Sequence, residues 1–444
     1  MSFSRENDCM TDDTLFPVGE PRPPKVLAPG TPRVQPAVRN QVEFFQADLD
    51  SLIDDDHQAR VIVEFVGHLD LSKLYQPIRA FEGGAGRTPI DPRMLLALWL
   101  YAALRGVGSA RELERLCAEH VAYRWICGGV SVNHHTLADF RSQSNAIFDS
   151  IMADSLTVLR SKGVVTLERV AHDGLRTRAS AGSGSFRGKD SLEELLADSE
   201  AHIKALREEL DDDPAGGGKR RKSARMRAAR ERSERIQEAL RQMPDVEAKK
   251  KDPKKKARVS ITDPSARMMK MPNGGFNPAY NIQLSADTQS QLIVGVNVTN
   301  CGSDHALLPQ AVAQIEAHAG GVPKETLTDG GFNKPENIEA LSERTVVYAP
   351  VTEFKDKNGK VLGSKKALTP VIAAWHERMK TEEAKTIYKE RASTIECVNA
   401  LMRNRGLYQV RVRGLERVRA TVLLFAIAHN AARAARLRAQ LPSG

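Results

Sequence analysis

Apolar residues recur at helical spacing through the first third of the chain. Met94, Leu95, Leu98, Trp99 and Tyr101 follow Pro92 and end at Gly106 and Gly108, which predicts a helix beginning at the proline. Ser109 caps a second helix, ARELERLC, with Glu112 at its third position as in a capping box. After Gly128 and Gly129, SVNHHT leads into LADFRSQ and a further helix through Ile151 and Leu159. Short helices joined by tight turns suit a helix-turn-helix DNA-binding unit, and a plain helical bundle fits the same pattern.

At Val164 to Val170 the pattern changes to a strand, with Asp173 expected at its end. An excursion follows in which Leu192, Leu195, Ser199, Ile203, Leu206 and Leu210 keep helical spacing, DDDPAGGG turns, and Arg221 to Met243 returns as a second helix. Ala279 to Ala286 and Leu292 to Val298 then alternate as the two arms of a β-hairpin, with Asp287 in the turn. Beyond it come a helix from about Asp304, a strand at Thr326 to Thr328 ending in Asp329, a helix at Lys334 to Arg344 and a strand at Thr345 to Ala349. Tyr408 to Val412 reads as a last strand before an apolar helix, VRATVLLFAIAHNAARAARL. This order predicts a mixed α/β sheet flanked by helices, preceded by a helical unit and interrupted by a helical hairpin.

Composition adds limits. The 444 residues allow two or three domains, and 41% apolar with 27% charged residues is ordinary for a soluble protein. The longest apolar run, Met94 to Leu104, is eleven residues and too short to span a bilayer. The amino-terminal stretch has no basic start followed by an apolar core, so a cytoplasmic location is expected. Five scattered cysteines without a CxxC pair point to neither a disulfide framework nor a zinc site.

The net charge of +9 is unevenly spread: Lys219 to Arg258 holds seventeen Lys and Arg against six Asp and Glu, or +11, leaving about −2 for the rest. Such a segment suits a localised polyanion contact, and equally a solvated charge run. Residues 1–40, rich in proline and polar residues, read as an extended or disordered arm.

The candidate chemistry lies in three carboxylates. In YKERASTIECVNALMR, Glu396, Asn399 and Arg403 fall on one face of a predicted helix, with Tyr388 and Arg391 upstream. Alone, this is also what a solvent-facing amphipathic helix looks like. Asp173 in VAHDG and Asp329 in TLTDGGF each follow a strand-like run and precede glycine. Three carboxylates gathered from two strand ends and a helix suit hard divalent cations, which take oxygen ligands and keep several waters. No spacing rule joins them, since they are 156 and 67 residues apart.

The order of elements, together with VAHDG, ITDPSARMMK, GFNPAYNIQLSAD, TDGGF and the Tyr388-Arg391-Glu396 spacing, resembles the DDE transposases of bacterial insertion sequences over about residues 60 to 435. The resemblance implies a ribonuclease H-like catalytic domain at 164–189 and 259–444, an amino-terminal all-helical DNA-binding domain at 41–163, and an inserted basic helical hairpin at 190–258. It implies catalytic and metal-binding roles for Asp173, Asp329 and Glu396, with two magnesium ions, or manganese in their place. It implies DNA contacts for Tyr388, Arg391 and Arg403. Double-stranded DNA, as element ends and target, is the expected partner, handled by at least a homodimer in association with the nucleoid.

The chain departs from the family pattern in places. Arg403 stands where lysine is usual, four residues separate Arg391 from Glu396 where three are common, and Leu175 and Gly330 replace a frequent threonine and a polar residue. Two other functions use the same features: an endonuclease of this fold that does not rejoin strands, and a DNA-binding protein with a decayed active site.

Overall fold

A computed structural model describes residues 48–79, 88–143, 145–212, 219–250, 256–351 and 368–440. The expected arm at 1–40 lies outside the described residues. The amino-terminal region is helical: α1 (Gln58–Gly67), α2 (Ser72–Tyr75), α3 (Pro92–Leu104), α4 (Ala110–Glu119), α5 (Val121–Cys127), α6 (His134–Gln143) and α7 (Asn145–Ser161). Pro92 occupies the first turn of α3 while the Asp91 side chain accepts from the Arg93 N–H, so both start signals act together. Ser109 accepts from the Glu112 N–H at the start of α4. Helix α3 is buried from Leu95 to Leu104, and the Trp99 indole donates to the Leu137 carbonyl at 3.0 Å with the Arg141 guanidinium 4.2 Å over its ring.

The chain then enters β1 (Arg169–Arg178), β2 (Phe186–Arg187), α8 (Lys189–Asp212), α9 (Lys219–Ala248), β3 (Val259–Ser260), β4 (Arg267–Lys270), β5 (Phe276–Asp287) and β6 (Ile293–Thr299). It closes with α10 (Leu308–Ala319), β7 (Glu325–Leu327), α11 (Pro335–Leu341), β8 (Val346–Tyr348), α12 (Pro370–Lys380), α13 (Glu382–Arg391), α14 (Cys397–Met402) and α15 (Leu415–Gln440). The hairpin α8–α9 leaves and returns through the small β2–β3 ladder, and it carries its own apolar seams around Leu192, Ile236 and Met243 and around Leu206 and Met226.

The main sheet is mixed. β1 runs antiparallel to β5 and parallel to β7, β7 runs parallel to β8, and β4 and β6 pair along the far side of β5. An antiparallel half joined through β1 to a parallel half is consistent with a ribonuclease H-like arrangement. The expected hairpin is β5–β6, turned by Asp287, whose Oδ2 accepts from the Ser290 N–H at 2.9 Å and its hydroxyl at 2.7 Å.

Two strand expectations need correction. The strand expected at Val164 to Val170 begins only at Arg169, because Gly163 and Leu167 take positive φ and turn the chain, and it continues to Arg178. Asp173 is therefore in mid-strand. The segment Tyr408 to Val412 contributes a single bridge, Arg178 to Gln409, and no full strand.

One apolar core runs from the amino-terminal helices through β1, β5 and β6 to α15. Helix α15 is buried from Val418 to Ala432 apart from Arg419 at its edge. Asn430 on it accepts from the Ile293 N–H and donates to the Ile293 carbonyl, both at 2.8 Å, so its side chain pairs with the edge strand β6 as a neighbouring strand would. Arg419 forms an ion pair with Asp149 on α7. Gly106 and Gly406, both at positive φ, meet closely enough that a Cβ on either would lie 3.2 Å from a backbone oxygen of the other segment.

Candidate active site

The parallel pairing of β1 with β7 ends at Ala171 and Leu327, whereas its pairing with β5 continues to Arg178. The sheet opens where one neighbour stops, and Asp173 and Asp329 each lie two positions past that last pair. Asp329 Oδ1 accepts from the Gly331 N–H at 2.8 Å, which holds the carboxylate in a tight turn. Asp173 Oδ1 accepts from the Gly174 N–H at 2.8 Å and its Oδ2 from Asn399 Nδ2 at 3.1 Å.

Glu396 arrives from the other side through an irregular helix. The predicted single helix from Tyr388 to Arg403 is instead α13, a π-turn over Ala392–Glu396, α14, and a second π-turn over Arg403–Leu407. A π-turn accommodates one more residue than an α-turn. The additional residue between Arg391 and Glu396 is absorbed there, and the two side chains meet at 2.6 Å. In a regular α-helix, positions five apart would point about 140° away from each other.

Arg391 is 12% exposed and also reaches Asp173 Oδ2 at 3.5 Å, so one guanidinium bridges two of the three carboxylates. Burial pushes the Asp173 carboxyl up to about 6; Arg391 opposes the rise, and the negative charges of Asp329 and Asp304 add to it. Burial likewise raises the Tyr388 hydroxyl, with Arg391 opposing and Asp329, Glu396 and Asp173 contributing. Arg403 is exposed and, among the described residues, makes no hydrogen bond or ion pair with this cluster.

Two polar residues beside the cluster have no role assigned from the sequence. Asn399, expected to be an ordinary polar neighbour, is 2% exposed and bonded to Asp173, with its Oδ1 lacking a partner. Its position three residues after Glu396 was the available signal, although an uncharged residue between Val398 and Met402 looks like part of a core. Asp304, expected only at the start of a helix, precedes α10 and accepts from Asn281 Nδ2 at 2.6 Å, Gln283 Nε2 at 3.1 Å and Arg176 at 2.9 Å. Gly174 is packed against this network: a Cβ there would lie 2.8 Å from Gln283 Nε2, 2.9 Å from Asp304 Oδ1 and 3.0 Å from Asn281 Oδ1. Under it, His172 is fully buried between Ser285 Oγ and Gln283 Oε1, at 2.8 and 2.9 Å, and burial lowers its pKa to about 4.

Among the described residues, no three His, Cys, Asp or Glu side chains are gathered closely enough to hold a metal ion. Arg391 supplies the positive charge between Asp173 and Glu396. The donor set nevertheless fits a hard divalent cation: carboxylate oxygens from three elements, with an unpaired buried amide oxygen beside them.

Comparison with known families gives two matches. Residues 47–143 match a transposase domain (DUF772), and residues 353–435, which include Tyr388, Arg391 and Glu396, match a transposase DDE domain. Two transposase domains on one chain, with Asp173 and Glu396 bridged by Arg391 where a mixed sheet opens, point to a nucleic-acid-processing protein. The matches support a DDE-type transposase of insertion sequences, a class that generally uses divalent metals. No curated protein and no solved structure matches the chain. None of the described helices is long and apolar enough to cross a membrane.

Proposed function

We propose that this transposase binds the terminal inverted repeats of its insertion sequence as a homodimer and carries out metal-dependent strand cleavage and strand transfer in the cytoplasm, at the nucleoid. In this reading, residues 41–163 form the helical DNA-binding domain, 164–189 and 259–444 the ribonuclease H-like catalytic domain, and 190–258 the inserted basic hairpin. The observation that supports it is the bridging of Asp173 and Glu396, from two separate elements, by Arg391, which lies in the matched DDE domain. Asp173, Asp329 and Glu396 would hold two magnesium ions, or manganese. When bound, such a pair clamps the attacking and leaving oxygens of an in-line phosphoryl displacement.

The remaining roles follow from the side chains. Arg391 neutralises Asp173 and Glu396 until a cation takes over that charge, after which its planar fork suits a phosphate. Tyr388 borders the same space, and the exposed Arg403 is available to the DNA backbone farther out. Exposed Arg227, Arg230 and Arg232 on α9 have no ion partner among the described residues and suit phosphate contacts.

Asp173→Asn, Asp329→Asn and Glu396→Gln should each abolish magnesium-dependent cleavage of duplexes bearing the repeats that flank the gene, while binding of those duplexes persists. Cleavage at the parental rate by any one of the three purified variants would remove that residue from the proposed site.

A further inference from the structure

Asn399 is almost entirely buried on α14, three residues after Glu396 and flanked by buried Val398 and Met402. An apolar side chain would suit that environment, and an amide oxygen left unpaired there costs about 1–3 kcal/mol. The side chain nevertheless spends its donor on Asp173 Oδ2, at 3.1 Å, and leaves Oδ1 unpaired. Arg391, which reaches the same oxygen, also has its Nε buried without a partner. Two unfilled polar atoms on the two side chains that hold Asp173 Oδ2 indicate a network that is complete only when something else is bound.

Geometry restricts what Asn399 can do. Asp173 Oδ1 is fixed by the Gly174 N–H, so the carboxylate orientation depends on what holds Oδ2. Asn399 and Arg391 both reach Oδ2, the amide at 3.1 Å and the guanidinium at 3.5 Å. Without the amide, Arg391 is free to close on Asp173 as a tighter charged pair and to compete with a cation for it. A neutral amide provides a donor and an acceptor without adding charge to an already anionic cluster. Waters retained by a hard cation need such acceptors.

We propose that Asn399 is a positioning residue for cation binding: its amide N–H holds Asp173 away from Arg391, and its free Oδ1 accepts from a cation-borne water. The role rests on Asp173, Asp329 and Glu396 being the metal ligands. It predicts that removing the side chain weakens cation binding by about 10- to 100-fold, as loss of an outer partner of a metal ligand does.

The test uses the full chain and Mn2+ alone, titrated with free Mn2+ followed by electron paramagnetic resonance, in the parent, Asn399→Ala, Asn399→Ser and Asp173→Asn. Thermal unfolding in chelator is measured alongside. Asn399→Ala should lose Mn2+ affinity by at least tenfold while unfolding within about 1 °C of the parent, and Asn399→Ser, which keeps a small donor, should fall between them. If alanine prevents folding, the serine variant decides. Parental Mn2+ affinity in the folded Asn399 variants, with binding lost in Asp173→Asn, would overturn the role of Asn399 alone. Indistinguishable Mn2+ binding by the parent and Asp173→Asn would overturn the metal-ligand assignment, and the role of Asn399 with it.

Discussion

Asp173 should stabilise the metal-free protein when its charge is removed. Its carboxyl is raised from the ordinary 3.8 to about 6, first by burial and then by Asp329 and Asp304, against the opposing effect of Arg391. The folded state therefore binds more protons than the unfolded state between about pH 4 and 6, and stability falls as pH rises through that window. A tenfold change in proton affinity corresponds to about 1.4 kcal/mol, so ionised Asp173 costs the metal-free fold about 3 kcal/mol above pH 7. Asp173→Asn keeps one oxygen to accept from the Gly174 N–H, its new NH2 can be met by the Asn399 amide turned over to present Oδ1, and Arg391 stays paired with Glu396 at 2.6 Å. The cost of about 3 kcal/mol is already net of the attraction to Arg391, and the imperfect match of an amide to the carboxylate's hydrogen bonds reduces the expected gain to about 1–3 kcal/mol. At about 2.1 cal/mol/K of unfolding entropy per residue, that gain raises the melting temperature of a chain this long by about 1–3 °C. Scanning calorimetry in chelator at pH 7.5, 5 and 4 would show the gain roughly halved at pH 5 and mostly gone at pH 4. A variant no more stable than the parent at pH 7.5, or one equally stabilised at pH 4, would refute the reasoning. A gain in stability alongside the proposed loss of cleavage is the expected sign of a site strained for function.

Gly174→Ala should place a methyl against Gln283, Asp304 and Asn281 on a strand held there by β5, costing about 1–3 kcal/mol and lowering cleavage by more than tenfold; chemical unfolding and a cleavage assay check the two effects. Replacing Arg227, Arg230 and Arg232 with glutamine should flatten the dependence of log affinity on log salt by about 0.9 for each phosphate that is no longer neutralised. An unchanged slope would leave those arginines as a solvated face.

The pattern of apolar residues made the regular parts legible. The β5–β6 hairpin, the buried closing helix and the helical excursion between β1 and β4 follow from alternation and helical spacing, which report one-sided burial directly. Asp173 was misplaced along its strand because His172, Asp173 and Arg176 look like a polar strand end. They remain in the ladder because β5 offers Ser285 and Asn281 across from His172 and Arg176, with Gln283 bonded to His172, and a polar surface matched by a distant polar surface has no local signature. The π-turn before Glu396 is similarly silent: one additional residue does not disturb an apolar pattern, although it turns Arg391 toward the carboxylate it pairs with. Asn399 meets Asp173, and Asp304 meets Arg176, across more than a hundred residues, so their roles emerge only in three dimensions.

The burial of α15 carries a consequence for the making of the protein. Everything this helix packs against is translated before it, from the amino-terminal helices to the edge strand that Asn430 completes. Until residues 415–440 leave the ribosome, β6 keeps an open edge and the shared core lacks one wall. Folding must therefore finish late, and a chain broken before α15 should be cleared by proteases instead of surviving as a stable fragment.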